Sequence, residues 1–135
     1  MKQMLVTVND YRRLIGLINF ESLRSKVPEI QEQLYDALMK AKMLPPENIS
    51  SSVVTMDSRV LIRDIASGTV TEVTVAYPNH SADRKNAVSV FSEFGIALLG
   101  QQAGDAVSWK SPDGNRQFEI LKITYQPEAL GKYYS

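Results

Sequence analysis

The segment Leu44-Pro45-Pro46 separates two stretches whose apolar residues recur with different periods, and no single regular element can satisfy both. Before the prolines the spacing is helical: Tyr11, Leu14, Ile15 and Ile18 fall on one stripe, and Ile30, Leu34, Ala37, Leu38 and Ala41 form a second. Asn9 or Asp10 is suited to cap the first helix, and Pro28 to open the second. Between them Phe20 to Lys26 is a polar connection long enough to reverse direction. The spacing therefore predicts an antiparallel, coiled-coil-like helical hairpin over residues 1–46. Paired prolines end it, because proline lacks the amide donor that a further helical turn needs. Residues 28–42 as a helix would span roughly 22 Å. Helices this short need a packing partner to persist.

After the linker Pro45 to Ser51 the period becomes two. Val60, Ile62 and Asp64 alternate with Arg59, Leu61 and Arg63, and Val70, Val73 and Val75 follow in a β-branched run. Ser67-Gly68 is the expected turn between these strands, and Pro78 to Asn86 is expected to be an exposed loop. An apolar helical turn near 95–100 is placed to cover one face of the sheet. Two last strands, about 105–111 and 116–125, are expected to pair through Ser111 to Asn115, where Asp113-Gly114 supplies the turn. Residues 47–135 thus read as four or five antiparallel strands wrapped on one short helix, and the whole chain as α+β.

Composition removes several function classes. Fifteen basic and fifteen acidic residues leave no net charge, so strong direct binding to nucleic acid is not expected. An apolar fraction of 44% is ample for a packed core. With no cysteine, disulfides, thiolate metal sites and cysteine nucleophiles are excluded together. No apolar run has the length of a bilayer span, and the N-terminal run is too short for a secretory signal. The cytoplasm is the expected location, with no membrane partner.

Catalytic constellations find little support. His80 is the single histidine, and a metal centre needs three or four ligands, so it reads as a solvated loop residue. Ser58, Ser89 and Ser92 lack an imidazole nearby in sequence. Gly95, Gly100 and Gly104 are not followed by the Lys-Ser/Thr of a phosphate-binding loop. No catalytic residue, cofactor or metal is expected.

Four features in fixed order carry a resemblance: the Ser89-Val90 strand, the helix end Ala97-Leu98-Leu99-Gly100, Gly104-Asp105 opening a strand, and Pro112-Asp113-Gly114 at a hairpin. Together they resemble the C-terminal domain of the bacterial transcript-cleavage factors GreA and GreB. Val53 to Val60 and the tail Tyr125 to Ala129 resemble, within that superfamily, the group of regulators of nucleoside diphosphate kinase. The resemblance implies an FKBP-like unit over 47–135 that follows the hairpin and binds bacterial RNA polymerase at its secondary channel.

In the Gre factors a longer hairpin carries acidic residues at its tip, which help hold a magnesium ion that activates water for RNA cleavage. Here the tip offers Glu21, Ser22, Leu23, Arg24, Ser25 and Lys26. One carboxylate beside two cations is a poor Mg²⁺ site, so cleavage stimulation is not expected. Glu21, Ser22, Arg24 and Lys26 are the expected polymerase contacts on the arm. Phe91, Ser92 and Glu93 are those on the domain, with Glu93 where the family usually has proline. Two alternatives stand beside this reading. One is an adaptor affecting nucleoside diphosphate kinase, directly or through transcription. The other is a prolyl isomerase using an aromatic-lined pocket drawn from Tyr77, Phe91, Phe94, Trp109, Phe118 and Tyr125.

Overall fold

A computed structural model of the chain describes residues 3–21, 28–78 and 86–132. Its elements, in order, are β1 (Leu5–Thr7), α1 (Val8–Glu21), α2 (Pro28–Met39), β2 (Lys42–Leu44), β3 (Arg59–Asp64), β4 (Val70–Ala76), β5 (Ala87–Ser89), α3 (Glu93–Leu98), β6 (Ala106–Ser111) and β7 (Gly114–Tyr125). Single 3-10 turns follow at Pro46–Asn48 and Pro127–Leu130. The α+β class, the two N-terminal helices and the sheet with one short helix are all present.

Both helical stripes do what their spacing requires. Leu14 and Ile18 of α1 and Leu34 and Leu38 of α2 are buried in the same apolar cluster as Val60, Ile62, Val75, Leu98, Leu99 and Ile120. Fully burying one such side chain stabilises the fold by about 1.5–3 kcal/mol, which supplies the packing partner that short helices need. The cluster therefore draws on both sides of the Pro45-Pro46 break.

Three local details differ from expectation. Thr7, rather than Asn9 or Asp10, caps α1: its hydroxyl accepts from the Asp10 amide at 3.0 Å. A threonine there satisfies an otherwise orphaned amide and frees the Asp10 carboxylate for another partner. Helix α2 ends at Met39, short of Lys42, because residues 42–44 pair in parallel with residues 5–7. A two-stranded sheet thus closes the base of the arm. Finally, β5 pairs with β4 in parallel, so the five-stranded sheet, ordered β5-β4-β3-β7-β6, is mixed; its other neighbours are antiparallel.

The strand pattern follows the alternation closely. Val60, Ile62 and Asp64 point inward while Arg59 and Arg63 are exposed. Asp64 can lie inward, 8% exposed, because every oxygen is used. Its Oδ1 accepts from the Ala66 and Ser67 amides at 2.9 and 3.3 Å, and its Oδ2 accepts from Arg116 at 2.7 Å. Gly68, at φ +75°, completes the turn to β4. The β6–β7 hairpin is tighter than expected: Ser111 pairs with Gly114, leaving Pro112 and Asp113 as the two-residue turn. Register shifts in β7 opposite Arg59/Val60 and Leu61/Ile62 add local twist to the sheet.

Candidate functional site

The loop from β5 into α3 holds Phe91, Ser92 and Glu93, and local chemistry fixes it in one shape. Ser92 has extended backbone and caps α3, its Oγ accepting from the Gly95 amide at 3.0 Å. The same hydroxyl donates to the Ser89 carbonyl at 2.6 Å, while Ser89 Oγ accepts from the Phe91 amide at 3.0 Å. Gly95 lets the helix approach that carbonyl: a Cβ there would lie 2.1 Å from Ser89 O. Phe91 is half-buried against the core, and Glu93 is the first residue of α3. That is the first helical position, where proline is favoured in general. An acid there is also favourable, facing the positive end of the helix dipole, so the departure from proline leaves the helix start intact and adds a charge.

The expected arm contacts cannot be joined to this loop. Glu21 is the last residue of α1, but its side chain and Ser22, Arg24 and Lys26 lie outside the described residues. His80 and most of the expected 78–86 loop lie outside them too. Among the described residues no group of three or more His, Cys, Asp or Glu could hold a metal ion, and no helix is long and apolar enough to cross a membrane.

Three of the six aromatics named for an isomerase pocket do converge, from α3, β6 and β7. Phe94 stacks on Trp109 with ring centroids 4.0 Å apart, and Phe118 lies 4.7 Å from Trp109 and 5.3 Å from Phe94. Such spacings are those of rings packed on one another, so the trio fills its own space. Tyr77 and Tyr125 are engaged elsewhere, under the Arg13 and Arg59 guanidinium groups at 4.3 and 4.7 Å.

Sequence reasoning missed a polar junction beneath the arm. Thr55 to Ser58 form a turn in which Ser58 Oγ accepts from the Thr55 amide at 2.9 Å and Asp57 takes φ +66°. Thr55 Oγ1 donates to Glu128 Oε1 at 2.7 Å, and Gln126 Nε2 donates to the Ser50 and Val53 carbonyls at 2.7 and 2.9 Å. Into the same turn reaches Asp10 of α1, whose Oδ2 accepts from the Met56 amide at 3.1 Å and whose Oδ1 accepts from the Tyr77 hydroxyl at 3.4 Å. Burial raises the Asp10 carboxyl to about 7, against the opposing Met56 hydrogen bond; nearby Glu128 raises it further. Burial likewise raises Tyr77 and keeps its hydroxyl a donor. The signal that could have found this junction was present. The Val53–Val60 and Tyr125–Ala129 segments, singled out separately in the sequence, touch in the structure.

Comparison with known proteins adds an independent line. A family model described as transcription elongation factor GreA/GreB, C-terminal, matches residues 49–125, a span that includes the Thr55–Ser58 turn and the Ser89–Glu93 loop. A regulator of nucleoside diphosphate kinase from Escherichia coli (strain K12) is 40% identical over 105 residues, 77% of this chain and 77% of that protein. Transcription elongation factor GreA of Alkaliphilus oremlandii is 32% identical over 101 residues, 75% of this chain and 64% of that one. Among solved structures, a prokaryotic transcription elongation factor GreA/GreB from Nitrosomonas europaea aligns with a TM-score of 0.74 at 29% identity, over 93% of this chain and 100% of that one.

Proposed function

The chain belongs to the GreA/GreB transcription elongation factor family and is a homologue of the regulators of nucleoside diphosphate kinase; on that premise we propose that it binds bacterial RNA polymerase at the secondary channel. It modulates transcription by occupying that site and does not stimulate transcript cleavage. The observation that carries the reading is the Ser89–Glu93 loop. It lies inside the family match, its backbone is fixed by Ser89, Ser92 and Gly95, and it holds Phe91 and Glu93 in place before any partner arrives. A preformed loop loses little conformational entropy on binding.

The absence of cleavage stimulation rests on the arm's sequence. Glu21 is the sole carboxylate between residues 20 and 27, and Arg24 and Lys26 follow it. Mg²⁺ selects several hard oxygen ligands presented together. Occupancy alone is then the mechanism, and no catalytic residue, metal or cofactor is invoked. Such a protein acts where polymerase is, in the cytoplasm.

The test is co-purification with core polymerase, followed by addition to a stalled elongation complex. Retention on polymerase without accelerated RNA cleavage supports the proposal; absence of retention refutes it, and accelerated cleavage refutes the occupancy mechanism. The name of the 40% identical relative favours a second reading, action on nucleoside diphosphate kinase. Retention on that kinase in the absence of polymerase would support it.

A further inference from the structure

We infer that Asp10 is a positioning residue: its grip on the Met56 amide and the Tyr77 hydroxyl fixes the direction in which the helical arm leaves the sheet. Its effect on polymerase binding rests on the reading above; the geometry itself does not.

Besides the apolar packing of Leu14, Ile18, Leu34 and Leu38 in the shared core, two kinds of polar contact hold the arm. The first is at its root, where the Leu5 amide donates to the Gly100 carbonyl just past α3 at 3.1 Å; the Lys42 amide, donating to the Met4 carbonyl at 2.9 Å, joins the two strands of the arm's own base. Gly100 permits this approach: at φ +77°, a Cβ there would lie 2.8 Å from Leu5 O. A root contact fixes where the arm begins, and the buried stripes of α1 and α2 press it on the core, but apolar packing is non-directional.

The second contact lies beyond that root, in the first turn of α1, and Asp10 makes it. Its partners are 46 and 67 residues away in sequence, in the turn before β3 and just after β4. Arg13 lies on the same helical face, since residues three apart are neighbours there, and its guanidinium covers the Tyr77 ring. Two successive side chains of one face thus engage Tyr77, itself 2% exposed. To the packed stripes and the root, Asp10 thus adds a directional hydrogen-bonded point that sets the arm's orientation.

Asp10 is also an unusual choice for stability alone. It is 6% exposed, and burying a carboxylate opposes folding unless its partners repay the lost hydration. Such a group gains conformational specificity more readily than stability. An aspartate three residues after a capping threonine commonly reaches back into its own helix end; here it reaches across to another part of the fold.

The absence of natural cysteine allows spin labels at chosen exposed sites. Cysteines replacing Glu32 and Lys122 report the distance from arm to sheet; cysteines replacing Ser108 and Lys122 report the sheet alone. With Asp10 present, the arm distance should be a single narrow distribution. D10A should broaden or shift it while leaving the sheet distance unchanged. D10N should restore it, since the amide oxygen can accept from Met56 and its nitrogen can donate to Tyr77. A loss of stability without loss of direction would not separate the two distances in this way. An unchanged distribution in D10A, or one as broad in D10N as in D10A, overturns the proposal. Amide exchange needs no variant: the Met56 amide should be protected in the wild-type chain, and exchange as fast as in an exposed turn overturns the proposal as well. On polymerase, D10A should bind more weakly than D10N. Failure of the wild-type chain to bind polymerase would end the reading above and leave these distances standing.

Discussion

The Asp10 carboxylate of α1 accepts a hydrogen bond at 3.1 Å from the backbone amide of Met56, 46 residues further along the chain. This one contact joins the first turn of the arm to the turn that precedes the central sheet, and it does so with a buried acid. Its consequences for stability, shape and pH are separately measurable.

The pH dependence has a definite sign. Asp10 is raised from 3.8 to about 7, chiefly by burial. Between those values the folded chain keeps a proton that the unfolded chain has lost. Folding stability from this group is therefore full below about pH 4 and is lost as pH rises to about 7. The D10N variant carries no such proton. Urea unfolding at pH 5 and pH 8 should show D10N gaining on the wild type by about 2–4 kcal/mol at the higher pH. An equal difference at both pH values would contradict this.

Asp64 should act in the opposite direction. The Arg116 hydrogen bond, with the Ser67 and Ala66 amides, holds its carboxyl below the usual range. Its contribution is present above the unfolded value and is lost as pH falls through the folded one. Asp64→Asn should flatten the acid limb of the stability profile and leave the limb above pH 5 governed by Asp10. Acid unfolding followed by circular dichroism reads both limbs.

The loop before α3 predicts an order of severity. Ser92→Ala removes the helix cap and should cost about 1 kcal/mol. Gly95→Ala drives a methyl into the Ser89 carbonyl, a backbone atom that cannot step aside, and should cost about 2–3 kcal/mol or more. Denaturant midpoints decide it; a reversed order would mean that the close approach of α3 to β5 is wrong.

Much of the fold was legible because its signals are local. The stripes through Leu14 and Ile18 and through Leu34 and Leu38, the alternation of Val60, Ile62 and Asp64, and the hairpin between Ser111 and Asn115, though it turns at Pro112-Asp113, each depend on residues within a few positions of one another. What escaped depends on distant partners. Three residues at 5–7 pair with three at 42–44 through backbone groups that every sequence has. The capping of α1 by Thr7 rather than Asn9 or Asp10 could be known only once Met56 was seen to claim the Asp10 carboxylate. The parallel docking of Ala87–Ser89 on β4 likewise follows from chain path rather than side-chain pattern. Within the candidate site the sequence singled out Phe91, Ser92 and Glu93 as a segment, while the rigidity of that loop comes from the Ser89 and Ser92 hydroxyls and from Gly95, residues whose roles appear only in three dimensions. The expected arm tip, from Ser22 to Lys26, lies outside the described residues.

The most direct test of the central claim is equilibrium binding of the intact chain to core RNA polymerase, with Glu93→Arg as the paired variant. Glu93 opens α3 and is half-exposed, so reversing its charge should perturb the contact more than the fold. The account predicts saturable binding by the wild-type chain, displaced by a Gre factor, and weakened about tenfold or more by Glu93→Arg. No binding by a folded wild-type chain, or binding that a Gre factor does not displace, would contradict it.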